Sequence, residues 1–347
     1  MRPLALRGVP GRSGGAGWRR LAVPALALAT VAAGCALSLA TGGRSDVGLS
    51  DLSGLFSGAG ATLAEQTMRD IRLPRTLCAM FLGINLGLAG LILQAVTRNA
   101  LAAPGLLGIN QGAALGIVLG LVVPALSGVP QSLLAALCGL VSVAATFAIS
   151  GAFSGRIESL RLILGGVAVG ALGFAAVRLG YTLEDDLARQ VVRWTVGDIG
   201  GVRMPEALRL GATALFATLA AVALAQRLNL MALGQAASHG LGADPMRTLI
   251  LGAGVASVVT GVCVSVAGPI AFAGLIVPHL AKALAGADHR RLVPVTAALG
   301  AGLMAWADAG SKLWPGFAEI PVGVVVSAIG APWFLVSVLA RKGRSHG

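Results

Sequence analysis

Residues 99 to 155 form an uninterrupted run of 57 residues without a single charged side chain. Soluble domains carry about a quarter charged residues, whereas this chain is 12% charged and 56% hydrophobic. A membrane-spanning helix needs about 20 apolar residues, so the run is too long for one span and long enough for two. The sequence therefore predicts a polytopic membrane protein and excludes a soluble domain and a disordered chain.

Further uncharged segments predict eight more spans, so the predicted fold class is an all-α polytopic membrane protein with ten transmembrane helices. The first span follows a basic segment that resembles a signal peptide, but the apolar part of a signal peptide is only about 7–15 residues long. Proline and glycine turn signals at 124–131 and 268–269 divide the two longest runs. The predicted spans lie at 21–41, 76–96, two in 99–155, 162–183, 210–226, two in 248–281, 292–307 and 320–340.

The distribution of charge predicts the orientation. An even number of spans places both basic termini on one side of the membrane. If that side is the cytoplasm, the inner segments hold 16 basic and 3 acidic residues, and the outer segments with their helix ends hold 10 basic and 11 acidic residues. The positive-inside rule therefore predicts cytoplasmic N and C termini. The predicted domains are a basic cytoplasmic segment (1–20), a ten-helix transmembrane domain (21–341) and a cytoplasmic tail (342–347).

Charged residues near the predicted outer surface are candidate contact sites. Arg72 and Arg75 lie three residues apart at the start of the second span and therefore share a helix face. They are interpreted either as an interfacial anchor or as a docking contact for an acidic partner outside. Asp308 precedes Lys312 by four residues, which predicts a charge pair whose role is structural or functional.

The loop at 228–247 is the longest predicted cytoplasmic connection between spans. A solvated connector would be more polar than this segment, which includes Leu233 and Leu241. Apolar residues in such a position indicate a surface that a cytoplasmic partner covers.

No pattern in the sequence predicts a catalytic, metal or cofactor site. The four cysteines lie in apolar stretches without ligand-like spacing and are interpreted as small buried hydrophobic residues. None of the three lysines follows a glycine, so the glycine-rich loop that binds nucleotide phosphates does not occur. If transport requires ATP, a different chain must hydrolyse it.

Eight segments together form a recognisable pattern. They are RLPRTL (72–77), the stretch 87–116, LRLILGGVAVG (160–170), RWTVGDIGG (193–201), the 228–247 loop, the stretch 266–296, WAD (306–308) and EIPVGVVVSAIGAPWFL (319–335). In this order they resemble the FecCD family of permeases, the membrane subunits of bacterial ABC importers for iron–siderophores, haem and vitamin B12. The resemblance covers roughly residues 69–341, and several segments are most similar to permeases of the ferric enterobactin type.

This resemblance implies a type II ABC importer permease in the bacterial inner membrane that moves a ferric siderophore by alternating access. It implies a second permease subunit, identical or homologous, two cytoplasmic ATPases that bind ATP and magnesium, and an extracytoplasmic substrate-binding protein. The permease itself is then no enzyme, with no catalytic, metal or cofactor-binding residue. Haem and cobalamin stay open as alternative cargoes. A proton-coupled secondary transporter and an integral-membrane enzyme are the alternatives from other classes.

The resemblance also implies roles for particular residues. Arg72, Arg75 and Lys312 correspond to basic residues that receive acidic side chains of the binding protein, although the third position is commonly Arg in the family. Lysine keeps the charge but lacks the bidentate geometry of arginine. The segment that couples to the ATPase corresponds to 228–247 and is centred on Leu233, Gly234, Gln235, Ala236, Leu241 and Gly242.

Overall fold

The computed structural model describes residues 16–42, 47–48, 50–51, 62–154, 158–182, 195–234, 238, 240–242, 244–313 and 319–344. These residues form ten α-helices, which confirms the predicted ten-helix all-α fold. The helices are α1 (Ala16–Ala40), α2 (Leu63–Val96), α3 (Ile109–Val122), α4 (Gln131–Ile149), α5 (Ser159–Thr182), α6 (Met204–Met231), α7 (Pro245–Ala267), α8 (Ala273–Ala285), α9 (His289–Ser311) and α10 (Val322–Arg344).

Seven of the ten helices are long and apolar enough to cross a membrane, namely α1, α2, α4, α5, α6, α7 and α9. The shorter apolar helices are α3, α8 and the Val322–Val336 part of α10. Helix α1 begins at Ala16, inside the segment predicted to precede it, and residues 1–15 and 345–347 lie outside the described residues. The lengths of the helices do not show which end of the bundle faces the cytoplasm, so the cytoplasmic placement of both termini stays a prediction.

The connection between α7 and α8 is irregular, and the helix that follows it is short. Helix α8 has 13 residues, which at about 1.5 Å per residue span about 20 Å of a layer about 30 Å thick. Residues 268–272 are not helical, and both Gly268 and Phe272 have positive φ, at 73° and 64°. Irregular backbone at membrane depth is tolerated only where protein buries it or where it lines a cavity.

Helix α2 lies at the centre of the bundle, with 78% of its most apolar window buried. Its backbone directly contacts two neighbouring helices at glycine residues. A Cβ atom on Gly83 would lie 1.9 Å from the carbonyl oxygen of Gly300 in α9, and a Cβ on Gly90 would lie 1.8 Å from that of Gly274 in α8. Such close approach is typical of membrane helices, because lipid provides little hydrophobic drive for helix association and packing must hold them together.

Candidate functional site

A fully buried carboxylate, that of Asp308 near the end of α9, organises one end of the bundle. Its Oδ1 accepts a hydrogen bond from Nε of Arg75 in α2 at 2.6 Å. Its Oδ2 accepts one from Nζ of Lys312 at 2.6 Å and one from the hydroxyl of Ser38 in α1 at 2.6 Å. Two cations and a hydroxyl therefore compensate one buried negative charge, as burial of a carboxylate requires.

Arg75 extends this cluster towards the surface. Its Nη2 donates to the hydroxyl of Ser311 at 3.0 Å, and its Nη1 forms an ion pair with Glu319, whose side chain is 46% exposed. The two cations and two carboxylates balance, so the cluster is formally neutral. We call Ser38, Arg75, Asp308, Lys312 and Glu319 the outer charge cluster, because the predicted orientation assigns this end of the bundle to the outer side.

Arg72 lies beside this cluster but has different partners. It ends a π-helical turn at Met68–Arg72 within α2. Its Nη1 donates to the carbonyl oxygens of Leu39, Ala40 and Val47 at 2.8, 3.2 and 3.0 Å. Because the last carbonyls of a helix carry partial negative charge, this buried guanidinium stabilises the end of α1.

The structure thus brings Arg72, Arg75 and Lys312 to the same end of the bundle and pairs Asp308 with Lys312. Each of the three cations has partners within the chain, and their side chains are buried. Contact with an acidic partner stays a prediction. The sequence offered no signal for the link between Arg75 and Asp308, which are 233 positions apart, or for Ser38 and Glu319 as members of the cluster.

The predicted coupling segment lies at the other end of α9. Gly234 and Gly242 have positive φ of 98° and 78°, and the side chains of Leu233 and Leu241 are each 61% exposed. Gln235 and Ala236 lie outside the described residues. Asp244 caps α7, since its Oδ1 accepts hydrogen bonds from the backbone N–H groups of the first turn at 3.0 and 3.1 Å.

Asn229, in the last turn of α6, connects this segment to the start of α9. Its Nδ2 donates to Oδ1 of Asp288 at 2.8 Å, and its Oδ1 accepts from the backbone N–H of His289 at 2.9 Å. Donation by Asn229 and by the backbone N–H of Arg290 holds the pKa of the Asp288 carboxyl below its ordinary value. The predicted coupling segment is therefore joined by hydrogen bonds to α9, the helix that ends in the outer charge cluster.

Between the two ends, a cavity of about 530 Å³ lies among α2, α3, α5, α8 and α10. Its wall includes the first turns of α3 and α8, the irregular 269–272 segment and three aromatic side chains. The aromatic residues are Phe174, Phe272 and Phe334. This volume falls within the range of about 300–1,000 Å³ that is typical of ligand pockets.

Comparison with known proteins gives consistent matches along the chain. The sequence profile of the FecCD transport family matches residues 25–341. The Fe(3+) dicitrate transport system permease protein FecC of Escherichia coli (strain K12) is 38% identical over 293 residues, 83% of this chain and 87% of that protein. The ferric enterobactin transport system permease protein FepD of the same strain is 38% identical over 337 residues, 94% of this chain and 97% of that protein.

A solved structure is similar over nearly the whole fold. It is an inward-facing conformation of a metal-chelate type ABC transporter, with a TM-score of 0.76 and 27% sequence identity. The match covers 92% of this chain and 99% of the solved chain. The similarity therefore extends through the ten-helix bundle and is not confined to one motif.

We predict that Asp308→Asn destabilises the fold by about 3–5 kcal/mol, because it removes the carboxylate that both buried cations share and leaves Arg75 with only the half-exposed Glu319. The matched control is Asp70→Asn, which removes a carboxylate from an exposed pair with Arg69 and should cost less than about 1 kcal/mol. The free energy of unfolding of both variants can be measured by SDS titration in mixed micelles. Equal losses in the two variants would contradict a stabilising role for the outer charge cluster.

Proposed function

We propose a specific transport role for this chain, which belongs to the FecCD transport family: it is the permease subunit of an ATP-driven importer that carries a ferric chelate into the bacterial cytoplasm. The observation that carries the proposal is the family match over residues 25–341, together with the ten-helix fold. Members of this family are permease components of ABC importers and are not themselves enzymes. The chain is accordingly a multi-pass protein of the cytoplasmic membrane.

A ferric siderophore is the cargo that the relatives favour. The relatives described above transport ferric dicitrate and ferric enterobactin, and the solved neighbour is of the metal-chelate type. Haem and cobalamin are the alternative cargoes. Family membership argues against a proton-coupled transporter, because it assigns the energy source to ATP.

The proposed assembly contains two permease subunits, two cytoplasmic ATPases and an extracytoplasmic binding protein. ATP and magnesium are bound by the ATPases, and no cofactor is bound by this chain. With both termini in the cytoplasm, the outer charge cluster faces the binding protein and the 228–247 segment faces the ATPase. ATP binding and hydrolysis would then shift the coupling segments and open the bundle alternately to the two sides.

Uptake of labelled chelates tests this proposal. Vesicles from cells that express the chain with its partner subunits should accumulate ⁵⁵Fe supplied as ferric enterobactin or ferric dicitrate only when ATP and the binding protein are present. An uncoupler should not reduce this uptake, since no proton gradient drives it. Uptake that persists without ATP and collapses with the uncoupler would contradict the proposal. If the vesicles took up haem or cobalamin but no ferric siderophore, the proposed cargo would be wrong and that compound would be the cargo.

Arg72, Arg75 and Lys312 lie at the same end of the bundle, which supports docking of an acidic binding protein there. The exposed carboxylate of Glu319 already binds Nη1 of Arg75, so a carboxylate from the outer side can reach this guanidinium. The same carboxylate would repel an acidic partner and compete with it for Arg75. Glu319 is therefore the residue through which docking can be tested without removing a buried cation.

We predict that Glu319→Gln strengthens binding of the loaded binding protein by about threefold to tenfold, because it removes a competing negative charge. Glu206→Gln is the control, since Glu206 pairs with Arg209 at the same predicted outer end and outside the cluster. Affinity can be measured by surface plasmon resonance on the complex in nanodiscs at low and high salt. Equal effects of the two substitutions would show that general charge, and not the cluster, governs docking.

Coupling to the ATPase through 228–247 is supported by the exposed apolar side chains of Leu233 and Leu241. Apolar side chains in a loop outside the bilayer are stabilised when a partner buries them. The hydrogen bonds of Asn229 to Asp288 and His289 would transmit a displacement of this segment to α9. Gln235 and Ala236 belong to the same proposed contact by family resemblance.

We predict that Leu241→Ala weakens binding of the purified ATPase by about tenfold, because it removes apolar surface that the complex buries. Leu219→Ala is a matched control, since the side chain of Leu219 on α6 is also 61% exposed but lies within the predicted span. Fluorescence titration of labelled ATPase against the permease in nanodiscs gives both affinities. An unchanged affinity for Leu241→Ala would remove this residue from the coupling contact.

A further inference from the structure

Three exposed arginine side chains lie where α6 ends and α9 begins. They are Arg227, on the exposed face of α6, and Arg290 and Arg291, in the first turn of α9. None of them forms an ion pair with a carboxylate among the residues that the structure describes. Three other exposed arginines do pair with a carboxylate three residues away, namely Arg161, Arg209 and Arg247.

The carboxylate beside these arginines is already engaged by other donors. Oδ1 of Asp288 accepts hydrogen bonds from Nδ2 of Asn229 at 2.8 Å and from the backbone N–H of Arg290 at 3.1 Å. The sequence has no acidic residue at 207–243 or at 289–307. The end of α6 and the start of α9 together therefore carry a net positive charge.

A hydrogen bond orients one of these guanidinium groups. Nη2 of Arg290 donates to Oε1 of Gln226 in α6 at 2.9 Å, and its other N–H groups have no hydrogen-bond partner in the described part of the chain. Arg209, at the opposite end of α6, lies about 26 Å from Gln226 along the helix axis, at about 1.5 Å per residue. This distance is close to the hydrocarbon thickness of about 30 Å, so Gln226 and Arg290 lie at the level of the lipid headgroups.

An apolar stripe of α6 leads to this basic end. Leu215, Leu219 and Val222 precede Gln226 by eleven, seven and four positions and therefore share its face of the helix. Each of these three side chains is more than half exposed. Exposed apolar residues that end in unpaired cations match a phospholipid, since its acyl chains are apolar and its phosphate is anionic.

We propose that the end of α6 and the start of α9 form a binding site for an anionic phospholipid of the inner leaflet. Arg290, oriented by Gln226, and Arg291 bind the headgroup phosphate, because a guanidinium matches phosphate geometry with two parallel hydrogen bonds. Arg227 adds positive charge at the same level, and an acyl chain lies along the apolar stripe.

The site selects lipids with a net negative charge. A zwitterionic headgroup carries a cation that the arginines repel, whereas the headgroup of phosphatidylglycerol or cardiolipin does not. Basic groups between membrane helices on the cytoplasmic side are typical binding sites for such headgroups. The predicted orientation assigns the site to the inner leaflet, and the cargo of the importer does not enter the argument.

Native mass spectrometry of the assembled complex tests this site. The complex is released from mixed micelles that contain phosphatidylglycerol and phosphatidylcholine with the same acyl chains, and the bound lipids are counted over a range of lipid concentrations. Arg290→Gln combined with Arg291→Gln removes two positive charges from the site. The matched control is Arg161→Gln combined with Arg247→Gln, which removes the same charge on the same predicted side from arginines that carboxylates already neutralise.

The wild-type complex should bind phosphatidylglycerol at least about tenfold more tightly than phosphatidylcholine. The Arg290 and Arg291 double variant should lose this preference, and the control should change it by less than about twofold. Glycerol phosphate, which lacks acyl chains, should not displace the lipid. No preference in the wild type, an unchanged preference in the double variant, equal losses in the two double variants or displacement by glycerol phosphate would overturn the proposal.

The competing occupant of this surface is the ATPase. In nanodiscs of phosphatidylcholine alone, the wild type and the Arg290 and Arg291 double variant should bind labelled ATPase with affinities that agree within about twofold. A loss of about tenfold in the double variant would assign these arginines to the ATPase contact and overturn the lipid site. The uptake assay reports the proposed function separately, because ATP-dependent uptake does not require that the lipid preference exists.

Discussion

The buried carboxylate of Asp308 is the constraint on which the outer half of the bundle depends. An ionised group can stay in a low-dielectric interior only if charges and donors surround it, and here they come from α1, α2 and the end of α9. The end of α1 is held in turn by the guanidinium of Arg72. Three helices are therefore placed relative to one another by electrostatic requirements that no apolar contact would impose.

Helix α9 relates this cluster to the opposite end of the molecule. It begins at His289, whose backbone N–H donates to Asn229 of the predicted coupling segment, and it ends next to Asp308. Its contact with α2 at Gly83 and Gly300 leaves no room for a side chain, so the two helices cannot shift independently over a large distance. A displacement at the proposed ATPase contact would therefore be transmitted to the proposed binding-protein contact.

Inside the bundle, the backbone is irregular at residues 268–272, which connect α7 and α8. Most of the protein buries small and apolar side chains, which discriminate poorly between ligands. At this connection, by contrast, the structure places two helix N-termini, two amide oxygens without partners among the described residues and a strained Phe272. Features of this kind oppose stability, so packing elsewhere in the bundle must compensate for them.

The sequence by itself determined that this chain is a multi-pass membrane protein of ten helices, because uncharged runs and turn residues are local signals that need no partner. It also located Arg72, Arg75, Lys312 and the 228–247 segment, through order and spacing. The four-residue spacing already predicted the pair of Asp308 with Lys312. Only the tertiary structure decided that Arg75 and Ser38 share that carboxylate, and that Asn110 contacts the irregular segment before α8. Such contacts join residues more than a hundred positions apart, and the packing of helices, which has no local code, brings them together.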